Sequence, residues 1–275
     1  MPPGLHSDFN SLANEYAQFR SSYSSALFQS IFDYARNRAP ADVLDLACGT
    51  GLGMLPYVER GDSVTGIDIA PAMIDVARRS LPETAHVKFC VARAEALPFA
   101  NASFDLISCA QSFHWFDASA AFAECARTLR RGGTLAIFWK HAARDDLFTR
   151  TGEAIIAEWL GEDAAARSRD HAAANEDFAA AFWRYVPPAG AAPSPAPGGA
   201  PLFENGEKRM LSFVLPRTIA SFVGYQRSRE RIRMVLGERR EAFLSELERR
   251  LHDMAPADRP FDQQHVEYLF LARKP

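Results

Sequence analysis

Between positions 41 and 140 the chain alternates two hydrophobic rhythms. Short apolar runs occupy residues 43–46, 63–67, 86–91, 104–109 and 134–139, and each has the length of a buried strand. Residues 52–60, 71–80 and 119–129 instead carry apolar side chains at helical spacing. Pro71 suits a first helical turn, where its missing N–H would have no partner anyway. Arg131-Gly132-Gly133 reads as a helix stop. Strand and helix in alternation predict an α/β fold with a doubly wound, mostly parallel sheet covered on both faces.

The flanks read differently. Residues 8–20 and 24–37 predict two helices rich in aromatics, and residues 145–160 another with Ile155, Ile156 and Trp159 on one side. The segment PPAGAAPSPAPGGAP at 187–201 reads as a linker. Residues 208–214 and 265–272 alternate as strands do, with helices expected over 218–227 and 228–251. The arginines of the last stretch, Arg229, Arg231, Arg233, Arg239 and Arg240, are interleaved with Glu230, Glu238 and Glu241, which reads as a solvated face, with an anion-binding face as the alternative.

Composition narrows the partners. Thirty-one Lys and Arg stand against 34 Asp and Glu, a net charge of −3 that argues against nucleic acid as the main partner. No apolar run reaches membrane-spanning length, and the first residues lack the pattern of a secretory signal. Cys48, Cys90, Cys109 and Cys125 show no metal-ligand spacing, so reduced structural thiols in a cytoplasmic protein and no metal are expected.

The candidate chemistry lies where the first strand runs into Asp45-Leu46-Ala47-Cys48-Gly49-Thr50-Gly51-Leu52-Gly53. Glycines there let a ligand lie against the backbone, and the following helix N-terminus favours an anionic group. A dinucleotide loop wants a third glycine where Met54 stands, and no triphosphate-binding G-x-x-x-x-G-K-[ST] is present. Asp45 offers a carboxylate to a ligand ammonium instead, and Asp68, ending the second strand, can take both ribose hydroxyls. Ala94-Glu95-Ala96-Leu97-Pro98-Phe99 can edge an adenine. An amino acid joined to an adenosine is S-adenosylmethionine.

These motifs resemble the core of a class I S-adenosylmethionine-dependent methyltransferase: VLDLACGTG at 43–51, GIDIAPAMIDVAR at 66–78, AEALPF at 94–99, FDLISCAQSFHWFD at 104–117 and LRRGGTLAIF at 129–138. Tyr16-Ala17-Gln18-Phe19-Arg20-Ser21-Ser22-Tyr23, His114-Trp115-Phe116-Asp117 and Gly224-Tyr225-Gln226-Arg227-Ser228 are similar to the trans-aconitate methyltransferase-like, small-molecule group. The resemblance implies a Rossmann-like, seven-stranded sheet with its last strand antiparallel, N-terminal helices and a helical cap. It further implies one methyltransferase domain over 1–275. Its parts would be a cofactor core at 41–140, an acceptor-site lid at 1–40 and 141–227, and C-terminal strands and helices over 208–275. Ala47, Gly49, Thr50 and Gly51 would line the methionine part, with Asp45 at its ammonium group. Asp68 would hold the ribose, Ile69 and Met73 would pack near the adenine, Ala94 and Glu95 would edge it, and Gln111 would lie near the sulfonium. The pattern departs from the family at Ala47, usually glycine, at Arg93, often aspartate, and at Ser21, often proline.

The expected reaction is in-line methyl transfer to a small-molecule acceptor, at a carboxylate or hydroxyl oxygen. His114 is the candidate base or else a pocket wall, and Tyr16 with Arg20 one helical turn on can grip a carboxylate of cofactor or acceptor. The aromatics Trp159, Phe182, Trp183 and Tyr185 are candidates for a lid over the acceptor or for plain core packing. Two other readings stay open here: an NAD-dependent oxidoreductase and a methyltransferase-like binding protein without turnover.

Overall fold

The structure is a computed structural model that describes residues 9–36, 39–81, 84, 86–143, 146–161, 171–190, 202–254 and 259–275. In chain order the first elements are α1 (Phe9–Phe19), α2 (Ser25–Ala35), β1 (Asp42–Leu46), α3 (Leu55–Glu59), β2 (Ser63–Asp68), α4 (Pro71–Ser80), β3 (Val87–Val91) and β4 (Phe104–Ala110). Next come α5 (Ala118–Thr128), β5 (Leu129–Ala142), α6 (Leu147–Leu160), α7 (His171–Tyr185) and β6 (Glu204–Arg217). The chain closes with α8 (Ile219–Arg227), α9 (Glu230–Leu236), α10 (Arg240–Met254) and β7 (Phe261–Arg273). One seven-stranded sheet has the order β3-β2-β1-β4-β5-β7-β6, with β1 through β5 parallel to one another and the last strand antiparallel. The Rossmann-like α/β expectation is met.

Two compact units divide the chain. The larger comprises Ser22–Lys140, Ala174–Leu211 and Glu267–Pro275. Alternate residues of a strand point to opposite faces, and β1 shows it: Val43 joins one apolar cluster while Leu44 and Leu46 join another. On the Val43 side lie Ile31 of α2, Tyr57 of α3, and Ile74 and Ala77 of α4. On the other lie Phe122 and Cys125 of α5, and Phe178 and Phe182 of α7. Helices therefore cover both faces, and the strands between them are apolar nearly throughout.

Three boundaries differ from the sequence expectation. The helix expected over 52–60 is only Leu55–Glu59, because residues 51–54 are spent on the turn that enters it. Gly132-Gly133 is not a helix stop: α5 ends at Thr128, β5 begins at once, and Gly132 takes φ +74° within the strand. A side chain at 133 would lie 2.8 Å from the Arg130 carbonyl, so the pair serves a local irregularity of β5. The helix expected over 228–251 is broken at Gly237, φ +52°, into α9 and α10. The linker expected at 187–201 lies outside the described residues from 191 on. Among the described residues no helix is long and apolar enough to cross a membrane.

The second unit comprises Met1–Ser21, His141–Ala173 and Ser212–Val266. Its core gathers Ile155 and Ile156 of α6, Ile219 and Phe222 of α8, Ile232 and Leu236 of α9, and Phe243, Leu247 and Leu251 of α10. Trp159 packs edge-on against Phe243 with centroids 5.9 Å apart, as a core residue does. Gly224 sets the approach of α8 to α1, since a Cβ there would fall 2.1 Å from the Phe19 ring. Helix propensity alone favours alanine at 224 by about 1 kcal/mol, while overpacking costs about 1–3 kcal/mol. A clash that close lets overpacking win. Gly224→Ala should lower unfolding stability by about 1–2 kcal/mol in urea titrations, and Phe19→Ala in the same chain should recover part of the loss. A stabilised Gly224→Ala would refute the packing account.

Candidate functional site

The turn after β1 is shaped by left-handed backbone at alternate positions: Ala47 at φ +51°, Gly49 at +55° and Gly51 at +88°. That conformation costs a residue with a side chain about 1–2 kcal/mol, so the family's usual glycine at 47 has a backbone reason beyond the room a methyl needs. The Cys48 N–H donates to the Ile67 carbonyl at 2.8 Å and ties the turn to the end of β2. Met54 is wholly buried against β2, where a Cβ at Gly66 would lie 2.6 Å from its sulfur and 2.8 Å from Cys48 Sγ. The small residue needed at this crossing thus stands on the strand, and the helix is free to carry methionine.

Two carboxylates flank the turn. Asp45 is 1% exposed; its Oδ1 accepts from Ser108 Oγ at 2.6 Å, and its Oδ2 is buried with no partner. A Cβ at Gly53 would lie 3.2 Å from that Oδ2, so glycine there leaves open the space in front of the orphan oxygen. Burial raises the Asp45 pKa to about 7 and the Asp68 charge adds to the rise, against the Ser108 hydrogen bond. Asp68 accepts the Gly49 N–H on Oδ2 at 2.9 Å and the Ala70 N–H on Oδ1 at 2.8 Å. Burial raises its pKa, and the backbone donors of Ala70, Gly49 and Ile69 pull it back. Each oxygen keeps a lone pair for a further donor. The pair suits a ligand with a cation at Asp45 and vicinal hydroxyls at Asp68.

Beyond Asp68, Ile69 is 51% exposed, an apolar surface open to a flat ring, whereas Met73 is buried at 3%. Ala94 is buried too. Glu95 is already engaged: Oε1 accepts the Asp117 N–H at 3.1 Å and Oε2 lies 3.6 Å from Arg93 Nε. Arg93, the departure from the family pattern, thus answers Glu95.

At the end of β4, Gln111 holds φ +61°, donates its backbone N–H to the Phe138 carbonyl and its amide to the Lys140 carbonyl, both at 2.8 Å. His114 stands in the short 3-10 turn Phe113–Trp115. Trp139 Nε1–H donates to His114 Nδ1 at 3.3 Å. An indole N–H is a donor only, so this bond assigns the histidine proton to Nε2. Burial lowers the His114 pKa to about 4. His114 keeps an exposed surface, with the rings of Trp115 and Trp139 tilted against it. Phe178 lies against Trp139 at 4.4 Å, and Phe182, fully buried, packs with Phe122 and Phe270 in the core.

Tyr16 and Arg20 belong to the second unit. The Arg20 guanidinium lies over the Tyr16 ring at 4.6 Å and over Tyr225 at 4.7 Å, while its Nε and Nη2 donate to Ser228 Oγ and carbonyl at 3.0 and 3.3 Å. Tyr23, by contrast, belongs to the larger unit, edge-on to Phe138 with Lys140 over its face. Sequence reasoning missed the Trp139–His114 bond, Arg217 and the place of Arg229 beside Tyr225. Only the notch residue Gly224, ahead of Tyr225, hinted at a close helix crossing there. The four cysteines are free thiols. Among the described residues no three His, Cys, Asp or Glu side chains gather as metal ligands do.

Comparison with known proteins agrees with this geometry. Residues 44–137 match the methyltransferase-domain family model. An uncharacterized methyltransferase of Mycobacterium tuberculosis is 36% identical over 155 residues, 56% of this chain and 59% of its own. A malonyl-[acyl-carrier protein] O-methyltransferase of Methylococcus capsulatus is 37% identical over 122 residues, covering 43% of this chain and 40% of that protein. The chain thus spans less than two thirds of the length of these curated relatives. A provisionally named type II methyltransferase from Anaeromyxobacter dehalogenans shares the fold, with a TM-score of 0.61 at 22% identity over 93% of this chain and 98% of that one. From β1 into β5, the segment that carries the carboxylate pair on the glycine turn, the chain is thus similar to the methyltransferase domain.

Proposed function

We propose that the protein binds S-adenosylmethionine at the β1 turn and transfers its methyl group to a small-molecule acceptor at oxygen, a carboxylate oxygen foremost. The observation that carries the cofactor reading is Asp45 Oδ2, a buried acceptor without a donor. An ammonium group supplies that donor and a counter-charge together, whereas a diphosphate would be repelled. The five-residue α3 also gives a diphosphate little helix-terminal field. Asp68 takes the ribose hydroxyls, Ile69 offers its open face to the adenine, and Gln111, pinned to the Lys140 carbonyl, bounds the methionine side. Met73 and Glu95 contribute from behind, the first by packing and the second by fixing the loop before α5.

When bound, the cofactor supplies a methyl group on a positively charged sulfur. The chain's part is to hold donor and acceptor in line and to keep water out, and orientation of this kind is worth about 7–11 kcal/mol. His114 is poorly suited to take a proton at neutral pH: its Nδ1 lone pair is occupied by Trp139 and its pKa is held down to about 4. Its Nε2–H suits it to donate to an acceptor oxygen and wall the site. An acceptor that arrives ionised, as a carboxylate does, needs no base, which favours that nucleophile. The malonyl-[acyl-carrier protein] O-methyltransferase among the relatives points the same way. Tyr16 and Arg20 are proposed to orient a carboxylate. The single-domain organisation over 1–275 and a cytoplasmic setting for the free thiols belong to the same proposal.

Calorimetry with S-adenosylhomocysteine tests the reading: saturable binding is expected, and binding of NAD(H) in its place would overturn it. Asp68→Ala should weaken that binding roughly ten- to hundredfold with the circular dichroism spectrum unchanged, since charge-assisted hydrogen bonds contribute about 1.5–3 kcal/mol. Asp45 makes binding pH-dependent. Its carboxyl keeps its proton below about 7, and a cationic ligand favours the ionised form. Affinity should therefore rise with pH up to about 7 and then level, with a proton released on binding at pH 6 but not at pH 8. Asp45→Asn should abolish the proton release, and a release persisting in that variant would assign it elsewhere. His114→Gln, which keeps a donor, should retain most of the rate, and His114→Ala should lower it without flattening the pH profile. Loss of a titration near neutrality in His114→Ala would restore the base assignment.

A further inference from the structure

The second unit holds a concentration of positive charge that the cofactor site does not use. Arg20, at the end of α1, and Arg217, at the end of β6, both lie over the ring of Tyr225 on α8, at 4.7 and 4.9 Å. Arg229, just past α8, donates to Gln226 Oε1 at 2.9 Å, and its charge is felt at the Tyr225 hydroxyl. Neither Arg20 nor Arg217 has a carboxylate within ion-pair distance among the described residues. The Glu153 charge acts on Arg229 in the opposite sense.

Arg217 is the informative member. It is 5% exposed, so its charge is taken out of water at considerable cost unless something compensates it. Its Nη1 donates to the Ser221 carbonyl at 3.2 Å, while its Nε is buried with no partner. The Nε and Nη2 of a guanidinium form the edge that meets two oxygens of one anion side by side. Among the described residues that edge has no acceptor, and it lies next to a second guanidinium that shares the same aromatic ring. Burial lowers the pKa of both Arg217 and Arg229, and Arg20 lowers both further by repulsion. An aromatic face offsets only part of such crowding. Gly224 and Ser228 fix the arrangement, the first by letting α8 close on Phe19 and the second by orienting Arg20.

We propose that Arg217, Arg20 and Arg229 around Tyr225 form a binding site for a small oxyanion, a carboxylate or a phosphate, received on the open Nε–Nη2 edge of Arg217. The site lies in the second unit alone and takes up Arg20, the residue proposed above to orient a carboxylate, but anion binding there does not require methyl transfer. Tyr225 closes its floor, and the anion replaces the missing counter-charge.

The test is calorimetric titration of the full chain with inorganic phosphate and, separately, with malonate and tricarballylate, against chloride at matched ionic strength. Saturable binding of phosphate, of the carboxylates or of both is expected, and which anion wins identifies the group recognised. Arg217→Gln should weaken that binding about tenfold or more while S-adenosylhomocysteine affinity is kept. Should Arg217→Gln not fold, the unaltered chain still reports. The Tyr225 phenol is drawn below its usual range by Arg20, Arg229 and Arg217 against the opposing effect of burial. Bound anion should move an early phenolate transition at 295 nm to higher pH, and Tyr225→Phe should remove that transition. No saturable binding of any of these anions, or equal binding by Arg217→Gln, would overturn the proposal.

Discussion

A carboxylate kept dry at the end of a central strand must either hold its proton or meet a cation, and Asp45 is placed under that constraint. Its backbone lies in β1 with a parallel strand on each side, paired to Gly66 on β2 and to Ser108 on β4, so it cannot move out to water. One oxygen is satisfied by Ser108, and the other is left for something the chain does not itself provide. The rest of the turn follows from keeping that oxygen reachable: glycine at 53, left-handed backbone at 47, 49 and 51, and the first full helical turn delayed to Leu55. Asp68 closes the turn from β2 through Gly49, which makes the two carboxylates parts of one hydrogen-bonded frame.

The same constraint has a consequence for stability. The Asp45 carboxyl titrates near 7 in the folded chain and near 3.8 in an unfolded one, so the folded state holds the extra proton between those values. Stability contributed by this group is therefore present in acid and declines as pH rises toward 7, the reverse of an ordinary paired aspartate. The loss at the alkaline end is on the order of 4 kcal/mol. A cation bound at Oδ2 offsets it, which couples occupancy of the turn to stability of the larger unit.

Much of this was written in the local sequence because it is carried by local chemistry. A strand of Val-Leu-Asp-Leu running into glycines specifies both the buried strand and the misplaced charge, and Gly66-Ile67-Asp68 does the same one strand over. The boundaries that differed, at 52–54, 132–133 and 237, are set by backbone irregularities that hydrophobic periodicity does not encode. The bond from Trp139 to His114 was not legible, because it joins the end of β5 to the turn after β4 and depends on which ring nitrogen faces the indole. That contact changes the chemistry expected of His114 from taking a proton to giving a hydrogen bond. The place of Arg229 was not legible for a similar reason: charge interleaving along 228–251 describes a continuous helix, whereas Arg229 precedes α9 and its charge acts on Tyr225.

The two units bury charges of opposite sign. In the larger one, Asp45 and Asp68 are buried carboxylates whose usual values are raised by burial. In the second, Arg217 and Arg229 are lowered by burial and repel Arg20. A fold selected for stability alone would replace either set with apolar groups of similar volume, since burial of charge works against folding. Ligands of complementary sign are the physical reason to retain both: a cationic amino group and a ribose for the carboxylates, an oxyanion for the guanidiniums.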